Sequence, residues 1–284
     1  MYRRKSMIFD IRTADAARNS VYALTGMTAM EFFQEYVIES GRDFEEFWDR
    51  NEERIDSIDI SDLKIIGFHV VSSMDECAEI KQNGLWNLQR VLTEDSMLRR
   101  VLEQYGLTFD VANSKMVYKG QTWDIEYEKY NGRYDLTDEE ELIDWIANRI
   151  YYDYCVNGFL FCEDVTRYGT QIHERPEFII KLVELFPDLG EMESWWKENG
   201  TPYEVVFYAT PEQMMGGFFG ISEQEDDEPR YWYEPTDEQK IKKKLLSLAI
   251  EGINGELDQI YLLIKDELSL PPEQIIECNV LDLD

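Results

Sequence analysis

At Thr28-Ala-Met-Glu31, Ser73-Met-Asp-Glu76, Thr137-Asp-Glu-Glu140 and Thr236-Asp-Glu-Gln239 a Ser or Thr stands three residues ahead of a Glu or Gln, at the edge of an apolar stretch. In such a capping box the hydroxyl oxygen accepts an early backbone N–H and the longer side chain reaches back to the cap N–H, so each pair marks a helix start. The first helix carries Phe32, Phe33, Tyr36 and Val37 on one predicted face, and past Ser40-Gly41 the residues Phe44, Phe47 and Trp48 continue an apolar stripe. Residues 31–62 hold twelve acids against three arginines, so the other face is anionic and the aromatic stripe reads as core.

At Lys64 the period changes. KIIGFHVV, residues 64–71, is β-rich and reads as a buried strand. The second capping box and Gly84 then bound a predicted helix over 74–83. A helix over about 96–105, strands in LTFDVANSKMVY and QTWDIEY, a helix from Thr137, a strand in NGFLF and a helix from Pro176 follow. YEVVFYA is a strand, Thr210-Pro211 caps a further helix, and the acidic aromatic stretch 221–235 reads as a surface loop. Thr236 opens the last long helix, and QIYLLI and IIECNVL are two closing strands. Helices first, then irregularly spaced strands and helices, predict an α+β fold with a helical subdomain over 1–60 and a mixed-sheet domain over 61–284.

Composition limits the function classes. At 44% hydrophobic the chain can bury a core, and no apolar run is long enough to span a bilayer. The N-terminus lacks a signal-peptide h-region, so the expected location is cytoplasmic. Cys77, Cys155, Cys162 and Cys278 are scattered, without a C-x-x-C pair or a nearby His, and read as free thiols rather than as disulfides or a zinc site. The formal charge is −31 at pH 7. Such a surface repels phosphate backbones, which disfavours direct nucleic-acid binding, and it suits a protein partner or acceptor.

Motifs exclude further chemistry. There is no G-x-S-x-G, no Walker A sequence and no G-x-G-x-x-G, and Gly216-Gly217-Phe-Phe-Gly220 lacks the phosphate-binding lysine. His69, one of only two histidines, is left in the middle of the β-run. Taken alone it is either a hydrogen-bonded core residue or one wall of a binding site. His173 reads as a loop or capping residue, and Glu204 as a solvated strand residue and a fallback acid.

The order strand, His69, Val-Val-Ser72-Ser73, helix, Gly84-Leu85 resembles the first conserved block of the ADP-ribosyltransferase fold, in the branch of poly-ADP-ribose polymerases and RNA 2′-phosphotransferases. Asn157-Gly158-Phe159-Leu160-Phe161 with Tyr168-Gly169 resembles the second block, and Gln259–Ile264 with Leu270–Ile276 the third. The likeness covers residues 64–281 and implies NAD as the ligand. It implies that His69 anchors a ribose, that Ser72 touches the nicotinamide amide, that Phe159 or Phe161 lines the nicotinamide pocket and that Tyr168 flanks it. Cleavage of nicotinamide passes through an oxocarbenium-like ribose that a carboxylate stabilises. Here the sequence departs from the family: Gln259 falls where the catalytic glutamate is expected, with Glu256 three residues upstream as the alternative acid. The implied activity is transfer of ADP-ribose to a protein acceptor. The contrasting reading is a non-enzymatic acidic interaction protein, such as a phage-encoded inhibitor that occupies the basic nucleic-acid-binding surface of a host defence complex.

Overall fold

A computed structural model describes residues 6–221 and 235–283. Strand β1 (Ile8–Phe9) leads into helix α1 (Ala14–Thr25). Helix α2 (Ala29–Phe32) starts on the predicted Thr28 box, with both reciprocal bonds formed, and continues as a π-helical stretch, Phe33–Glu39. Helix α3 (Phe44–Asp56) and strand β2 (Lys64–Ser73) follow. Three short helices come next, α4 (Ala78–Asn83), α5 (Leu88–Thr93) and α6 (Met97–Gln104). Strands β3 (Leu107–Asp110), β4 (Lys115–Tyr118) and β5 (Gln121–Asp124) form an antiparallel meander. Then come α7 (Tyr127–Tyr130), α8 (Asp138–Tyr151), β6 (Asn157–Cys162), α9 (Phe178–Leu185), α10 (Gly190–Asn199) and β7 (Thr201–Ala209). Helix α11 (Asp237–Asn254), β8 (Gln259–Leu263) and β9 (Ile275–Val280) complete the chain.

The fold is α+β. The main sheet has the strand order β8-β6-β2-β7-β9, with β1 parallel to the start of β2. Pairs β2/β6 and β7/β9 are antiparallel. By contacts the chain forms two compact units. The first comprises Met1–Phe68, Gly158–Glu163 and Tyr208–Leu263, and the second His69–Asn157, Asp164–Phe207 and Ile264–Asp284. The first sixty residues therefore group with α11 and β8.

In the first unit, α1 packs along α11, and Phe32 and Tyr36 close on Phe47 at ring distances of 5.7 and 5.5 Å. Only Phe32 and Tyr36 of the predicted aromatic face are buried; Phe33 is exposed, because the π stretch changes the winding. Lys242 of α11 is 1% exposed. Its ammonium donates to the Asp56 carbonyl at 3.0 Å and meets Glu238 at 2.6 Å, so a cation sits on the last carbonyls of α3, where the helix dipole favours it. In the second unit, α6, α8, α9, α10 and the meander share a core that includes Leu102, Met116, Ile146, Leu182 and Met192.

Three local expectations are corrected. The helix expected over 74–83 begins at Ala78, because Glu76 and Cys77 take left-handed backbone at φ 55° and 59°. Ser73 therefore caps a turn instead, its Oγ accepting the Cys77 N–H at 2.9 Å. Thr210-Pro211 opens only a single 3-10 turn, Pro211–Gln213. The 176 helix starts at Phe178. The loop over 221–235 falls, apart from its two ends, outside the described residues. Among the described residues no helix is long and apolar enough to cross a membrane.

Candidate functional site

Strand β2 alternates. Phe68, Val70 and Ser72 are buried, while His69, Val71 and Ser73 keep partial exposure. Successive strand side chains leave on opposite faces, so His69 and Ser72, three apart, point to opposite sides of β2. This separates the two residues that the resemblance places on one ligand.

His69 Nδ1 lies 2.5 Å from the backbone oxygen of Asn157, at the start of β6. A carbonyl oxygen only accepts, so Nδ1 carries the hydrogen and donates. The other nitrogen, Nε2, then holds a lone pair in the neutral ring. Desolvation of the imidazole pushes its pKa below the ordinary 6.5, and the Asn157 bond opposes that shift without reversing it. His69 is therefore a neutral, oriented hydrogen-bond acceptor at pH 7. Asn157 is fixed in turn: its Oδ1 receives the Cys155 thiol at 2.9 Å. Burial, with Asp153 nearby, holds that thiol at about 12, so Cys155 acts as a donor and not as a nucleophile.

Ser72 belongs to a packed contact. Its carbonyl accepts the Trp196 indole N–H at 3.2 Å, and a Cβ added at Gly200 would overlap its hydroxyl. The Oγ has no hydrogen-bond partner among the described residues. The assignment of Ser72 to the His69 ligand is corrected accordingly: strand parity turns the hydroxyl toward α10. The predicted Gly84-Leu85 step has a clear structural role. Gly84 ends α4 at φ 85° and ψ −170°, and Leu85 exchanges backbone hydrogen bonds with Leu270 at 2.9 and 2.8 Å.

The remaining predicted residues lie as follows. In the first unit, Phe159 is buried between Phe68 and Tyr261, each ring 5.5 Å away. It thus packs against the β2 residue that faces away from His69. Phe161 and Gln259 are half-buried, with Gln259 the first residue of β8. Glu256 is exposed in the turn after α11, outside the strand. Its N–H donates to the Glu251 carbonyl at 3.0 Å, and its carboxylate lies 3.4 Å from the Asn254 amide. In the second unit, Tyr168 follows a 3-10 turn and is half-buried. Glu204 pairs across β7/β9 with Asn279. His173 is buried, and its Nδ1 has no partner among the described residues.

No protein-family model, curated protein or solved structure matches this chain. What the chain can do rests on its own residues. Among those described, no cluster of three His, Cys, Asp or Glu is placed to hold a metal ion. An open groove of about 550 Å³ is lined by Asn87, Arg90, Val111, Leu268 and Ser269, among others, and contains none of the predicted site residues. Sequence reasoning did not single out Asn157 as the residue that orients His69. The bond uses its backbone oxygen, which no side-chain pattern reports.

Proposed function

We propose that this protein is an ADP-ribosyltransferase-like binder of NAD in which His69 anchors a ribose hydroxyl. The observation that carries the reading is the Nδ1–H bond to the Asn157 carbonyl, which leaves Nε2 as an oriented acceptor. A ribose hydroxyl donates to such a nitrogen, and because the ring is already held, little ordering is left for binding to do. The resemblance also gives Phe159 or Phe161 to the nicotinamide and Tyr168 to its flank, but Phe159 and Phe161 share the β6 face that pairs with Phe68, away from His69, so the reading rests on His69 alone.

Transfer of ADP-ribose to a protein acceptor asks more of the site. The ribosyl cation needs a full negative charge close by, and Gln259 offers only a dipole. Either Glu256 supplies that charge, or the chain binds NAD without transferring it.

Calorimetric titration with NAD tests the reading. His69→Ala removes one neutral hydrogen bond, worth about 0.5–1.5 kcal/mol, so the affinity falls by up to about tenfold. Unchanged NAD affinity in a folded His69→Ala protein overturns it. Adenylate-labelled NAD then separates binder from transferase. Label on an acceptor that disappears in Glu256→Gln makes Glu256 the acid, whereas transfer that appears only in Gln259→Glu assigns the position to Gln259.

A further inference from the structure

We propose that the outer surface of α2, its π extension and α3 docks a basic amphipathic helix of another protein. Three of the exposed large apolar side chains among the described residues lie within nine residues of each other here: Met30 at 75%, Phe33 at 50% and Ile38 at 56%. In an α-helix, residues five apart diverge by about 140° around the axis, so Phe33 and Ile38 would not share a face. The segment is not α-helical over that span. Its hydrogen bonds run five residues back, as in Ser40 N–H to the Glu35 oxygen at 3.0 Å, reinforced by Ser40 Oγ on the same oxygen at 2.8 Å. Five-residue bonding brings Phe33 and Ile38 toward one side. π-helical turns are rare and concentrate at functional sites. The core does not require this one, since Phe32 and Tyr36, four apart, already reach Phe47.

The charge beside this ridge defines the partner. The carboxylates of α2 and its extension that face α3 are already answered: Glu31 by Arg54, and Glu35 and Glu39 by Arg50, each at 3.5 Å. The outward face of α3 is not. Glu46, Asp49 and Glu53 recur at i, i+3 and i+7, all three are exposed, and no cation among the described residues pairs with them. The apolar and acidic ridges sit on elements that pack together, α3 against the π extension, with Arg50 and Arg54 bridging them. A helix with an apolar stripe flanked by Lys or Arg complements both, its apolar side chains on Met30, Phe33 and Ile38 and its cations over α3. Phosphate backbones are repelled by the same carboxylates, and a second copy would bring acid against acid. This surface does not depend on NAD binding.

The test uses the full chain and a fluorescein-labelled Leu/Lys peptide of about five helical turns, in amphipathic order and in scrambled order. Anisotropy at 0.15 M salt should show the amphipathic peptide binding about tenfold tighter than the scramble. Met30→Ser, Phe33→Ser and Ile38→Ser together should remove that preference. Glu46→Gln, Asp49→Asn and Glu53→Gln together should flatten the salt dependence. All six side chains are exposed, so matched thermal midpoints confirm that folding is intact. Equal binding of both peptides overturns the proposal, as does an unchanged preference in the apolar variant. Sedimentation that shows a dimer dissolved by the apolar variant overturns it in favour of self-association.

Discussion

Gly84→Ala probes the turn that follows the His69 strand and its helix. Gly84 has φ 85° and ψ −170°, a region open almost only to glycine, which costs another residue about 1–3 kcal/mol. A Cβ there would also overlap the Leu270 carbonyl oxygen and come within 2.8 Å of the Pro271 carbonyl carbon. Both are backbone atoms, and the Leu270 oxygen is already held by the Leu85 N–H at 2.9 Å, so neither gives way as a side-chain tip would. Overpacking of this kind adds about 1–3 kcal/mol. The sum centres on about 4 kcal/mol, or a melting point lower by roughly 8 °C in a chain of this size. Gly41→Ala is the internal control. Its φ is also positive, at 58°, but a Cβ would meet nothing within 4 Å, so only backbone strain of about 1–2 kcal/mol applies. Urea unfolding of the two variants against wild type gives the difference. Equal losses in both would show that the Gly84–Leu270 contact contributes nothing and would refute the reasoning.

Three further outcomes are expected. His69 has a folded pKa below 6.5, so the unfolded chain takes the proton first: its stability contribution is full above pH 6.5 and is lost as pH falls toward the folded value. Wild type should therefore lose more unfolding free energy than His69→Gln between pH 7.5 and pH 5.5, and parallel losses would contradict the desolvated neutral ring. Burial holds Cys77 and Cys155 at about 12, so iodoacetamide at pH 8 followed by mass spectrometry should leave both unlabelled in the native protein; rapid native labelling of either would contradict their burial. Lys242→Met keeps the aliphatic stem but leaves the Asp56 carbonyl unanswered, a loss of about 1–3 kcal/mol in urea unfolding, and a neutral effect would show that the buried ammonium is dispensable.

Much of the fold was legible because its signals are local. The boxes at Thr28, Thr137 and Thr236 formed as written, since each needs only four consecutive residues. Ser73 failed because the same hydroxyl serves a turn equally well, and the positive φ at Glu76 and Cys77 leaves no pattern in residue types. The π winding that exposes Phe33 was hidden for a related reason: α-helical spacing was assumed where the bonds run five residues back. At the candidate site, β alternation along KIIGFHVVSS is readable and implies that His69 and Ser72 diverge, against the placement that the resemblance implies. The grouping of residues 1–60 with α11 comes from contacts about two hundred positions apart, such as Gln239 with Asp56 at 2.5 Å, which no local motif encodes.

The central claim is that His69 offers the lone pair of Nε2 to a ribose hydroxyl. Because the chain has only two histidines, ¹⁵N spectra of the imidazole nitrogens with His173→Gln as the assignment control read this directly. The account predicts a neutral His69 ring at pH 7 with hydrogen on Nδ1, and an Nε2 resonance that moves when NAD is added while Nδ1 stays bonded to Asn157. A ring protonated on Nε2, or spectra that NAD leaves unchanged, would contradict it.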